Sequence, residues 1–302
     1  MHLLAGVWLA LGFACHDGGK RGSDPPPVRA EKATPSDDAA AAGGCQRLPF
    51  AADITLPEAS GAVYLPGPPA TVLVVADSGN RGQWAELDAA DGKVVAHGRL
   101  PLDGGASDDL EGLSVLGGRF YGLTSSGYLR EWERAEGAFR LVREAYPIAT
   151  PGDGSPALSC KHAGKVNCGA NFEGLCLGDA PAGGCVGWAA AKANGTLYCL
   201  ERGDDGRLQV DRSRAVKVAA HGLVSGCVVA PGGALLVGTN LFGGNAVYQV
   251  TAAGGDHPQI SLVDRLGPGF GEAIALGPDG VLYRLSDTGG APSMMARYHC
   301  PR

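Results

Sequence analysis

Three glutamates stand at the head of short apolar runs: Glu111 in "DLEGL", Glu173 in "NFEGL" and Glu272 in "GEAIAL". Serines hold the matching place in two further runs, Ser60 in "ASGAVYL" and Ser225 in "VSGCVVA". A second apolar run follows each of these, and Asp77, Ser125, Lys192, Asn240 and Asp287 stand at the five run ends. Carboxylates gathered in one place repel one another, so such a group either raises its own pKa values or recruits a cation. Ligands offering only oxygen suit a hard ion such as calcium.

Three readings of the acidic set stay open at this level. In the first, Glu111, Glu173, Glu272, Asp77, Asn240 and Asp287 surround a calcium ion. In the second, the ammonium of Lys192 neutralises one or two carboxylates without any metal. In the third, each glutamate accepts hydrogen bonds from neighbouring backbone and fixes spacing alone. Ser60, Ser125, Lys192, Ser225 and His221 are expected at the same mouth, with His221 just ahead of the fourth inner run.

All of this chemistry requires a fold that gathers residues scattered from Ser60 to Asp287. The chain supplies one through repetition. The five runs recur at about 50 residues, stretched between the second and third copies by a Gly/Pro/Cys-rich insertion at 147–170. Each is followed by a second and a third β-type run, and four copies add a fourth, as in "KVVAHGRL" and "FRLVREAY". Short strands split by Asp-Gly and Gly-Gly turns are hairpin chemistry, and four strands repeated at this period read as propeller blades. The fifth copy lacks its outer strand, while "CQRLPFAADITL" precedes the first copy unpaired. Using that N-terminal run as the missing strand closes the ring and removes an open edge. The expectation is therefore an all-β chain with a single five-bladed propeller over 45–302, a six-bladed ring being the alternative if the insertion holds a degenerate blade. Inner strands would then line one central channel, with their acidic heads at its mouth.

The motifs "DLEGL", "NFEGL" and "SDTGG" resemble those of the SdiA-regulated family and of the related esterase-like domains of phytases. That resemblance covers about residues 105–290 and implies an extracytoplasmic propeller with calcium binding and, for some relatives, phosphoester hydrolysis. It extends to Glu111, Glu173 and, more loosely, Glu272. A more distant similarity to gluconolactonase-type propellers, matched by position in the repeat, implies a divalent ion held by Glu111 or Glu173 with Asn240 and Asp287.

The N-terminus addresses the compartment. "MHLLAGVWLALGFAC" is apolar but too short to span a bilayer and ends in small residues before Cys15. It resembles a bacterial lipoprotein signal over 1–14, which implies lipidation of Cys15, and residues 15–44, rich in Pro, Ala and Gly, read as a tether. Eight other cysteines remain: Cys45, Cys160, Cys168, Cys176, Cys185, Cys199, Cys227 and Cys300. An even number in an exported domain indicates four disulfides of undetermined pairing, with Cys45 and Cys300 placed by ring closure at adjacent strand ends. The protein is thus expected at the outer membrane or periplasmic face of a bacterium. Its net charge of -6, with no Lys/Arg stripe, argues against a nucleic-acid partner. No "GxSxG" elbow and no strand-to-helix glycine loop occurs, so neither an acyl-enzyme triad nor a nucleotide or redox cofactor is expected. The partners anticipated are the membrane, through the anchor, and an unidentified small molecule or envelope protein, bound by a monomer. Metal-dependent hydrolysis of phosphoesters or lactones is the alternative to a binding module.

Overall fold

A computed structural model describes residues 44–152, 157–178, 184–218, 223–241, 244–267 and 271–301. The segment 1–43, with Cys15 and nearly all of the tether, and His221 lie outside the described residues. Among the described residues, twenty-one strands form five antiparallel sheets arranged as the five blades of a propeller. Blade 1 is β3 (Ala59–Leu65), β4 (Thr71–Ala76), β5 (Gln83–Asp88) and β6 (Val94–Arg99). Blade 2 is β7 (Leu110–Leu116), β8 (Arg119–Thr124), β9 (Tyr128–Ala135) and β10 (Ala138–Pro147). Blade 3 is β11 (Phe172–Leu177), β12 (Gly187–Ala191), β13 (Thr196–Arg202) and β14 (Leu208–Lys217). Blade 4 is β15 (Leu223–Val229), β16 (Leu235–Leu241), β17 (Gly244–Thr251) and β18 (Gln259–Arg265).

Blade 5 closes the ring. Its inner strands β19 (Ile274–Leu276), β20 (Val281–Ser286) and β21 (Pro292–His299) come from the end of the chain, and its outer edge comes from the beginning. That edge is two short strands where the sequence suggested one. β1 (Gln46–Leu48) pairs with Leu48 opposite Arg297, and β2 (Asp53–Pro57) pairs with Asp53 opposite Met294. Pro49 separates them, since it has no N–H to give the ladder. The Cys45–Cys300 disulfide joins the start of β1 to the end of the neighbouring β21. No strand occurs among the described residues of the insertion, so the blade count is five.

The inner strands of each blade are buried on both faces, and alternate residues feed different neighbours. In β4, Val72, Val74 and Ala76 pack with blade 5 residues Ala275, Tyr283 and Leu285, while Leu73 and Val75 pack with Leu110, Leu113 and Trp132 of blade 2. Each of the five blade interfaces carries its own apolar cluster. Trp132 and Trp188, both fully buried, anchor two of them. Two more disulfides reinforce blade 3: Cys185–Cys199 within it, and Cys176–Cys227 from β11 to β15 of the next blade. The fourth, Cys160–Cys168, closes a short loop in the insertion. Four disulfides mark a chain that folds in an oxidising compartment. Among the described residues no helix is long and apolar enough to cross a membrane.

Candidate functional site

The recurring Ser/Glu-Gly pair has a local structural cause. In four inner strands the ladder slips at the polar residue: between Ala59 and Gly61, Leu110 and Gly112, Phe172 and Gly174, and Val224 and Gly226. Ser60, Glu111, Glu173 and Ser225 are therefore the extra residues of β-bulges, which bend a strand end and re-aim its side chain. The glycine that follows is needed because inner strands converge there. A Cβ on Gly112 would lie 2.5 Å from the Leu175 backbone nitrogen, and one on Gly174 would lie 2.9 Å from the Cα of Gly226. Gly61 and Gly226 face the same crowding from Leu113 and Glu272. The fifth copy has Ala273 instead, and Glu272 precedes β19 in irregular backbone.

The bulges at Ser60, Glu111 and Glu173 deliver their side chains to a cavity of about 190 Å³ lined by Ser60, Asp77, Glu111, Asn167, Glu173, Lys192, Glu272 and Asp287. Seven of the ten channel residues named from the repeat, Lys192 among them, thus meet in one place. Three do not line it. Ser125 and Ser225 are fully buried behind the wall, where Ser225 Oγ donates to the Gly271 carbonyl over 2.6 Å. Asn240 also stands back, its amide donating to Glu272 Oε1 at 2.7 Å. Asp287 caps its own turn, accepting from the Gly289 N–H.

The acids divide into two groups. On one side, carboxylate oxygens of Asp77, Asp109 and Glu111 all lie within 4.8 Å of one another. Glu111 accepts from the Ser60 hydroxyl, and Asp77 accepts from the Ser78 N–H. Burial pushes the Glu111 carboxyl well above the usual carboxylate range, and the charges of Glu173 and Asp77 push it further. Asp77 is pushed up to about 7, again chiefly by burial, with Asp109 adding to the rise and the Ser78 N–H opposing it. On the other side, Lys192 Nζ lies 3.0 Å from Glu173 Oε1, and the Asn171 amide donates to the same oxygen at 3.2 Å. Even so, burial carries Glu173 up to about 8, Lys192 lowering it and Glu272 raising it. Glu272 is also raised by burial, though Lys192 and the Asn240 amide pull it down. Lys192 itself is raised, since Glu173 and Glu272 outweigh its own desolvation.

Asp109 was not among the residues assigned from the repeat, although it opens the quoted "DLEGL" two positions before Glu111. It is 1% exposed, its Oδ2 accepts from the Ser125 hydroxyl, and no donor reaches its Oδ1. The polar group beside it is the Asp77 carboxyl, which bonds to it only with a proton between them. A buried carboxylate oxygen without a donor costs free energy, which a bound cation would offset. The donor chemistry here is all oxygen, as hard divalent cations require. The three acids fit such an ion. Glu173, already paired with Lys192, fits it less well.

Arg284 was also missed. It is a buried side chain between blades 4 and 5 and donates to the Gly271 carbonyl at 2.8 Å and to the Ala273 carbonyl at 3.4 Å. It thereby pins the backbone on both sides of Glu272. Burial lowers the guanidinium to about 10. Nothing in the repeat signals it, because the other blades have no arginine at that place.

No family model and no curated protein matches this chain. Solved structures do. Glutaminyl cyclase of Myxococcus xanthus is similar at a TM-score of 0.54 with 17% identity, covering 86% of this chain and 98% of that one. The PQQ-bound aldose sugar dehydrogenase of Streptomyces coelicolor matches at 0.47 with 16% identity over 85% of this chain and 98% of that one. The calcium-binding protein regucalcin of Agrobacterium tumefaciens matches at 0.45 with 15% identity over 84% and 96%. At such identities the likeness is one of fold, the β-propeller.

Proposed function

We propose that this chain is an exported, lipid-tethered propeller that holds a calcium ion at its channel mouth and uses it to bind a small molecule or an envelope partner. The observation that carries this reading is the buried trio Asp77, Asp109 and Glu111, with Asp109 Oδ1 lacking any donor. A divalent ion held by Asp77, Asp109 and Glu111 would supply the positive charge that three crowded carboxylates lack. The propeller contributes rigidity, because each ligand sits at a strand end braced by a neighbouring blade.

Unfolding followed in calcium and then in chelator tests it. Calcium at about 100 times its dissociation constant should stabilise the wild type by about 2.7 kcal/mol, and chelator should remove the gain. Asp109→Asn and Glu111→Gln should each abolish most of that response. A wild-type midpoint indifferent to both calcium and chelator would sink the cation reading.

A second reading is supported by Glu173, whose carboxyl at about 8 beside Lys192 is poised to exchange a proton near neutral pH. It makes the protein a metal-dependent hydrolase of phosphoesters or lactones, in line with the resemblance to the esterase-like domains of phytases. Turnover of p-nitrophenyl phosphate esters or lactones, lost in Glu173→Gln, would favour it over binding alone. The tether has its own test. Cys15→Ser should move the protein from the membrane fraction to the soluble fraction, and persistent membrane association would refute lipidation at that residue.

A further inference from the structure

The insertion between β10 and β11 has no counterpart in the other blades, yet it reaches the acidic pocket. Leu158 is fully buried among Tyr146, Ile148 and Phe172. Ser159 Oγ donates to the Gly127 carbonyl at 3.0 Å, and the Cys160 N–H donates to the Ser126 carbonyl at 2.9 Å. From there the Cys160–Cys168 disulfide folds the chain back, and Asn167 becomes part of the cavity wall. Asn167 has φ 52°, a left-handed conformation that asparagine tolerates better than most residues.

One contact links this loop to the acids. The Asn167 backbone N–H donates to Ser125 Oγ at 2.8 Å, and Ser125 Oγ donates to Asp109 Oδ2. A hydroxyl has a single proton. Because Asn167 is a donor and never an acceptor at that nitrogen, the Ser125 proton is left for Asp109. The order of the chain is fixed: Asn167 N–H to Ser125, Ser125 O–H to Asp109. It occupies Oδ2 and leaves Oδ1 as the free oxygen. Without the loop, the Ser125 hydroxyl would be free to turn away and Asp109 free to rotate.

We infer that the Cys160–Cys168 loop sets the calcium affinity of the pocket, with Ser125 as the positioning residue that relays its hold to Asp109. The inference rests on the cation reading above and goes beyond it, since it assigns the insertion and its disulfide a part in the site. Groups that orient a metal ligand from behind are worth about 10–100-fold in affinity.

Calorimetric titration of the full chain with calcium alone tests this. Ser125→Ala should weaken binding by about 10–100-fold, and Cys160→Ser with Cys168→Ser should weaken it by roughly tenfold at the low end of the same range. Combining the changes should weaken binding no further than Ser125→Ala does, because both act through one hydroxyl. Losses that multiply would mean that loop and serine act separately, and would overturn the inference. So would wild-type affinity in either variant. Should Ser125→Ala fail to fold, the disulfide variant decides alone, because it opens only a short loop. Absence of calcium binding by the wild type would sink both the cation reading and this one, whereas binding that ignores the loop sinks only this one.

Discussion

Replacing Cys45 and Cys300 together by serine is expected to lower the unfolding free energy by about 5 kcal/mol. The bond spans 255 residues of sequence, so it constrains nearly the whole unfolded chain. The entropy removed from the unfolded state grows with the logarithm of that span. In the folded state the disulfide holds β1 against β21, and β1 is only three residues long. Further contacts hold this strand in place. The Cys45 N–H donates to Asp264 of blade 4 at 2.6 Å, and the Met295 N–H donates to the Ala52 carbonyl at 2.8 Å. Opening the small Cys160–Cys168 loop should cost about 2 kcal/mol on the same reasoning. Urea midpoints of the two double variants measure the contrast. A ring-closing variant less than about 1 kcal/mol below wild type would show that the strands close the blade unaided.

The second large effect expected is a dependence on pH, which calcium bound at the proposed site would reverse. Burial raises the carboxyls of Asp77 to about 7 and Glu173 to about 8, and holds Glu111 well above its ordinary value. Raised carboxylates bind protons in the folded state that they have lost in the unfolded state. The folded protein is therefore favoured by acid, and the linkage slope is negative. In chelator, stability should be fully present near the unfolded values, around pH 4.5, and should decline as pH rises toward 8. The decline should amount to a few kcal/mol, since each pKa unit is worth about 1.4 kcal/mol before coupling is counted. Glu111→Gln removes one of these buried acids and should make the cation-free protein less sensitive to pH between 5 and 8. With calcium present the sign turns over, because the ion binds only deprotonated ligands, so stability should rise with pH. Urea midpoints at pH 5 and pH 8, in calcium and in chelator, provide the check. A cation-free protein equally stable at both pH values would show that the acids are solvated.

Much of the wheel was legible because a propeller writes its fold into the sequence as a period. The five runs gave the inner strands, and the missing fourth strand of the last copy pointed to the N-terminal segment. The Cys45–Cys300 pair followed from ring closure, whereas the other three pairs did not. Cys176 and Cys227 occupy facing places on adjacent inner strands, which is visible only once register is known. The cavity lining was legible where it obeyed the repeat, as Ser60, Asp77, Glu111, Glu173, Lys192, Glu272 and Asp287 do. It was misread where burial decides. Ser125 and Ser225 hold channel positions in the pattern but bond inward to Asp109 and to the Gly271 carbonyl. Asp109 and Asn167 lie outside the pattern altogether, one ahead of its strand and one in the insertion.

The slipped register at the head of four inner strands has an evolutionary consequence. A bulged residue takes no place in the pairing ladder, so its identity can change while the neighbouring hydrogen bonds and the following glycine keep the blade intact. Serine and glutamate already alternate at these positions within one chain. The propeller thus separates the glycine that strand convergence requires from the bulged residue beside it, and a handful of single-codon changes suffices to alter the side chains that line the cavity.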